Sequence, residues 1–337
     1  MSLALRAAAP LRSLTPCRRL HTTHSLFNSS KASSDPFSIP PAPPTGQTVD
    51  LAFEHHAPPP SSSSTASTSC KSLVIAHGLF GSKQNWRSLS RSLASKLNLP
   101  VYAVDLRNHG TSPHIDSGMS YKDMAADLLR FIRSQNLSKV ALVGHSMGGK
   151  AVMATALDES LKEGELESMV SVDMSPARGA LSEQFEKYME AMIDINKKGC
   201  NDRKHADEML KETESDPSIR SFLLTNLHRP SNSPDKPWSF RVPVETIKEH
   251  LPQIGDFPYD VDGGRKWEGR TLFVKGSKSK YLNRKNIPIA NTYFPNAQHV
   301  TLDAGHWVQA ERPREFTDVL IRFLQGEQVG GGEMASL

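Results

Sequence analysis

The 337-residue chain has only three cysteines, Cys17, Cys70 and Cys200. Their spacing suits neither a zinc site nor a disulfide framework, which points to a reducing compartment. No stretch approaches the roughly 18 uncharged apolar residues that a membrane-spanning helix needs. Acids are missing from the first 34 residues, which hold five of the 40 Lys and Arg; the remaining 35 basic residues face 36 acids. The body therefore lacks the positive surplus of a nucleic-acid binder, and no nucleic-acid partner is expected. At 37% hydrophobic and 23% charged residues, the composition is that of a globular protein and excludes a wholly disordered or collagen-like chain.

The acid-free start carries Arg6, Arg12, Arg18, Arg19 and several serines, the composition of a mitochondrial presequence. On a helical wheel Leu3, Ala7, Leu11 and Leu14 share an arc of about 80°, with Arg6 and Arg12 off it. Pro10 interrupts a continuous helix, and the arginines interrupt the apolar core of a secretory signal. Residues 1–34 are thus predicted to direct the chain to the mitochondrial matrix, with cleavage near Leu20–Thr22; a disordered basic tail is the alternative. Residues 35–48 read as a linker and 326–337 as a disordered Gly-rich tail. The Ser- and Pro-rich stretch 57–69 reads as a surface loop. Between linker and loop, Val49–Phe53 alternates as an edge strand does.

From Lys71 onward, strand and helix patterns alternate. Strands are predicted at Ser72–His77, Val101–Leu106, Val140–Gly144, Met169–Met174, Thr271–Lys275 and Ala297–Leu302. Helices are predicted at Asn85–Leu97, Met124–Ile132, Met147–Leu157 and Pro313–Leu324. This order implies an α/β fold, a mostly parallel sheet covered on both faces, over residues 49–325. Connections in compact domains are a few residues long, yet roughly a hundred separate Met174 from Thr271. That interval reads as an inserted helical cap at about 177–255, with helices at Leu181–Asn196, His205–Glu214, Ile219–Leu227 and Val244–Leu251 and no strand for the main sheet.

Gly144-His145-Ser146-Met147-Gly148 lies between a strand and a helix, the context of a nucleophile elbow. Small residues two positions either side let the strand and helix pass closely, leaving the Ser146 side chain exposed at a turn. The same segment reads Gly-x-x-x-x-Gly-Lys-Ala, but a phosphate loop needs Ser or Thr where Ala151 stands. After the first central strand, His77-Gly78-Leu79-Phe80-Gly81 can aim the Leu79 N–H at the elbow. With the Met147 N–H it would make an oxyanion hole. His306, just after the last strand, is placed to accept the Ser146 proton; His77, His109 and His145 sit in turns and suit structural roles. The carboxylate that orients the histidine is read as Asp173, at the end of its strand, with Asp303 as rival. The later loop Gly276-Ser277-Lys278-Ser279-Lys280 contains no acid. Asp105 and Arg107 read as an ion pair holding a turn. His55-His56 lacks partners at metal spacing.

Together these motifs resemble the α/β-hydrolase superfamily over about residues 50–325. They are most similar to the group of mitochondrial abhydrolase-domain esterases, small bacterial acyl-CoA thioesterase-like esterases and yeast ethanol acetyltransferases. The resemblance implies that the acid preceding x-Ser-Pro, Asp173, completes the triad. It implies a serine hydrolase acting on carboxylic esters or thioesters through an acyl-enzyme, with an acyl ester or acyl-CoA as substrate and neither cofactor nor metal. Acyl transfer from acetyl-CoA to an alcohol such as ethanol uses the same residues. A binding or scaffold protein with an idle triad is the third reading.

Overall fold

The computed structural model describes residues 46–60, 68–229 and 237–330. The expected presequence, most of the linker and the centre of the serine-rich loop lie outside the described residues.

The elements run β1 (Phe53–His56), β2 (Ser72–Ala76), α1 (Arg87–Leu97), β3 (Val101–Val104), α2 (Tyr121–Ser134), β4 (Val140–His145), α3 (Met147–Ala156) and β5 (Leu166–Val172). The cap follows with α4 (Glu183–Lys198), α5 (Arg203–Leu210), α6 (Pro217–Leu223), β6 (Leu227–His228), β7 (Ser239–Phe240), α7 (Val244–Glu249) and α8 (Leu251–Gly255). The chain returns with β8 (Arg270–Gly276), α9 (Ile287–Tyr293), β9 (Ala297–Leu302), α10 (Val308–Glu311) and α11 (Pro313–Leu324). Among the described residues the main sheet has the order β1-β3-β2-β4-β5-β8-β9, parallel except for β1.

Parallel strands buried on both faces read as continuous apolar runs, and β2 and β4 send successive side chains to opposite sides. Val74 and Leu142 face α2 and α3, while Leu73 and Val143 face α1 and α11. Phe316, Leu320 and Phe323 of α11 are fully buried, each contributing about 1.5–3 kcal/mol. Cap residues Tyr188, Met189, Met192 and Ile195 join the α2–α3 side of the core, so the cap shares that core. The β6–β7 pair forms its own antiparallel sheet.

Several boundaries differ from the sequence reading. The edge strand falls at Phe53–His56 because the Val49 N–H donates to Asp127 Oδ1 (2.8 Å) and the Ala52 N–H to Ser112 Oγ (2.8 Å). Side chains thereby take donors that a ladder would use. Strand β5 stops at Val172 because Asp173 turns left-handed, with φ 51°. Of the tail expected at 326–337, Gly326–Gly330 continue along the sheet edge. There the Val329 N–H donates to Gln298 Oε1 (2.7 Å) and its side chain packs on the α11 side of the core; residues 331–337 lie outside the described residues.

The expected Asp105–Arg107 pair does not form. Arg107 turns to α2, donating from Nε (2.6 Å) and one terminal nitrogen (2.8 Å) to the two oxygens of Asp127. Its remaining donors reach the Gly118 and Gln47 carbonyls. Asp105 instead accepts from the Lys83 ammonium and the backbone N–H groups of Lys83 and Thr111. Neighbours in a turn point to different sides of it, so adjacency did not make them partners.

Candidate active site

Between β4 and α3 the chain bends through Ser146, held at φ 54°, ψ −118°, a backbone conformation that costs energy for a residue with a Cβ. The flanking glycines make the bend possible by close approach. A Cβ on Gly144 would lie 2.1 Å from the Gly148 carbonyl oxygen, and one on Gly148 would lie 2.5 Å from those of Ala76 and His77. The serine is more enclosed than a turn tip suggests, at 9% exposure, because Phe185 of the cap lines the cavities above it.

The structure brings Ser146, His306 and Asp173 together from three strand ends. His306 Nε2 lies 3.0 Å from Ser146 Oγ, and His306 Nδ1 lies 2.7 Å from Asp173 Oδ2. Asp173 is fully buried and its carboxylate is saturated, as a buried charge must be. Besides His306 it accepts from the Gly276 N–H (3.0 Å) and the Ser279 hydroxyl. Ser279 was missed as a site residue; the signal was the acid-free loop carrying serines where related folds place an acid. Asp303 is exposed and pairs with Lys278 (2.9 Å) and Arg312 (3.0 Å), so the rival carboxylate braces the loop surface. The Tyr281 ring covers His306 at 4.2 Å between centroids.

Leu79 and Met147 both line the cavity at Ser146. Neither backbone N–H has a hydrogen-bond acceptor among the described residues. Met147 opens α3, and first-turn N–H groups have no partner within a helix. Two unpaired donors beside a hydroxyl that touches an imidazole can stabilise an oxyanion formed by attack on a carbonyl.

Two cavities of about 190 and 180 Å³ meet at Ser146, Leu79 and Phe185. The first extends past Met147 to Lys150 and Tyr121; the second runs past His306 to Trp307 and Phe222. Lys150, the lysine of the phosphate-loop-like string, donates from Nζ to the Gly255 and Asp256 carbonyls. His55 stacks on Tyr102 at 4.5 Å.

The turn histidines have structural partners. His77 Nε2 accepts from the Leu106 N–H, His109 Nε2 accepts from the Phe80 N–H, and His145 Nε2 donates to the His306 carbonyl. Burial, reinforced by neighbouring His77, holds His109 down at about 3, and burial, reinforced by His306, does the same for His145; burial lowers His77 too. An unfolded chain protonates these rings near pH 6.5, whereas the folded chain resists until far lower. The stabilising contribution of His109 and His145 is therefore complete above pH 6.5 and is lost as pH falls from there toward 3. These two rings set a limiting slope on the order of 3 kcal/mol per pH unit. Urea midpoints should fall steeply between pH 6.5 and 5; a flat profile there would mean that the native rings take up protons freely.

A serine at a strand-to-helix elbow, facing a histidine and an aspartate from later strand ends, defines an α/β-hydrolase-type enzyme. The family described as the alpha/beta hydrolase fold matches residues 71–313. The sn-1-specific diacylglycerol lipase ABHD11 of Xenopus tropicalis is 37% identical, over 75% of this chain and 77% of its own. A probable alcohol acetyltransferase of Saccharomyces cerevisiae is 36% identical over the same shares. Among solved structures, a marine microorganism esterase superposes with a TM-score of 0.72 at 32% identity, covering 82% of this chain and all of its own. The chain belongs to the α/β-hydrolase family, as an enzyme of the esterase class.

Proposed function

We propose that the protein is a serine hydrolase of carboxylic esters or thioesters. Ser146 Oγ attacks the acyl carbon while His306 Nε2 takes its proton, and Asp173 holds the imidazole with Nδ1 protonated. The carbonyl oxygen, negative in the tetrahedral intermediate, accepts from the Leu79 and Met147 N–H groups. His306 returns the proton to the departing alkoxide or thiolate, leaving an acyl-enzyme. Water, deprotonated by His306, then releases the acid. The observation that carries this reading is the unbroken chain of contacts from Ser146 to His306 (3.0 Å) to Asp173 (2.7 Å). A fluorophosphonate probe should label Ser146 in the folded protein, and prior labelling should abolish turnover of an acyl ester. Absence of labelling would favour an idle scaffold.

A second reading is supported by the cavity on the histidine side, where Trp307 and Phe222 rings stand 5.8 Å apart. An alcohol held there can replace water at the second step, as the acetyltransferase name of the yeast relative suggests. With acetyl-CoA and ethanol, ethyl acetate exceeding free acetate would favour transfer, and the reverse favours hydrolysis.

We further infer that the protein works in the mitochondrial matrix, on the strength of its acid-free, Arg-bearing first 34 residues. Deleting residues 2–34 should leave an active enzyme in the cytosol; continued import of the truncated chain would refute this.

A further inference from the structure

Lys150 stands one turn after Ser146, on the same side of α3, and lines the same cavity. Its side chain is 4% exposed. Two of its three N–H donors reach the Gly255 (2.8 Å) and Asp256 (2.9 Å) carbonyls at the end of the cap. Among the described residues no carboxylate lies within ion-pair distance of its ammonium. The carboxylate of Asp256 is turned to Arg178 (3.1 Å). The Tyr121 ring lies 5.6 Å from Nζ, and its hydroxyl is spent on the Ile254 carbonyl (2.7 Å). A buried cation without a paired carboxylate is costly, and burial lowers this ammonium to about 7, with the Asp256 charge offsetting part of that effect and Arg178 adding to it.

Beside it Leu79, Met147, Phe185 and Ile254 make an apolar stretch of the wall, with Arg178, Lys280 and Asn286 elsewhere in the same lining. Pockets of this kind use their few polar groups to fix a ligand's orientation. The cavity holds about 190 Å³. Resting on the serine-hydrolase reading above, we propose that Lys150 recognises a carboxylate at the far end of the acyl chain. The substrate is then a half-ester or half-thioester of a short-chain dicarboxylic acid. The acyl carbon sits at Ser146, the methylenes lie along the apolar wall, and the distal carboxylate accepts the third N–H as a charge-assisted bond. The leaving group departs on the other side, into the cavity beside His306. A purely structural lysine, tying α3 to the end of α8, would serve every acyl chain alike.

The test compares kcat/KM for mono(4-nitrophenyl) adipate with that for 4-nitrophenyl hexanoate, which has the same chain without the charge. The wild type should favour the adipate by about tenfold or more, the size of one charge-assisted contact. In Lys150→Met the ratio should fall about tenfold, because the carboxylate then loses its charged donor on α3; Lys150→Arg should retain part of it. The ratio is the readout, since a structural defect lowers both rates together. An unchanged ratio in Lys150→Met, or a wild type that prefers hexanoate, overturns the proposal. Should Lys150→Met fail to fold, the wild type alone decides. Masking the adipate charge as its methyl ester should cost about tenfold, and no loss overturns the proposal. Turnover of hexanoate without a preference removes only the lysine's role. Failure on both esters together with no fluorophosphonate labelling removes the serine-hydrolase reading as well.

Discussion

Replacing Ser146 with alanine should lower kcat for an acyl ester by about 10⁶, the loss seen when a nucleophile is removed from a triad that acts as one unit. A residual acceleration over water of about 10³–10⁴ is expected from the two oxyanion donors and from binding alone. Stability should change by no more than about 1 kcal/mol, since one hydroxyl hydrogen bond is lost. Alanine is the informative replacement because it keeps a Cβ at φ 54°. Glycine would relieve the strain of the elbow and mix a backbone effect into the result. The measurements are kcat on a nitrophenyl ester and the urea midpoint of the same preparation. A purified variant that turns over at the wild-type rate would remove Ser146 from the chemistry.

Asp173→Asn should cost about 10⁴ in kcat, as the corresponding change does in a serine protease triad. Asparagine can present its NH₂ to His306 Nδ1, which favours the tautomer with the proton on Nε2, and that nitrogen could no longer accept from Ser146. The buried amide would also face the Gly276 N–H and the Ser279 hydroxyl, so the urea midpoint must be measured alongside the rate. Asp303→Asn should cost far less, because its carboxylate sits at the surface between Lys278 and Arg312. An inactive Asp303 variant beside a nearly normal Asp173 variant would reverse the assignment.

Much of the site could be read in the sequence because its constraints are local. The elbow needs small residues two positions either side of Ser146, and the distances at Gly144 and Gly148 show why. Asp173 could be placed because the end of a strand next to the elbow strand puts it at the right edge of the sheet. What escaped depends on long-range partners. Ser279 reaches Asp173 across 106 positions of sequence, and no local pattern marks which serine of its loop turns inward. Lys150 could be set aside as a phosphate binder because Ala151 follows it, but its acceptors lie at the end of an inserted cap. The edge strand was displaced because side chains of Asp127 and Ser112 claimed donors from residues 49–52, a competition invisible to alternation. The same applies to Arg107, whose partner lies on the next helix.

That arginine also sets a limit on how the chain can be shortened. The Gln47 carbonyl accepts from Arg107 and the Val49 N–H donates to Asp127, so two backbone groups of the leading segment complete a charge pair sealed inside the protein. A truncation ahead of Gly46 leaves that arrangement whole. One cutting after Val49 would strip the guanidinium of one acceptor and the carboxylate of one donor. How far the chain can be trimmed from its amino end is thus bounded from within, by a buried ion pair that the strap at 47–49 completes.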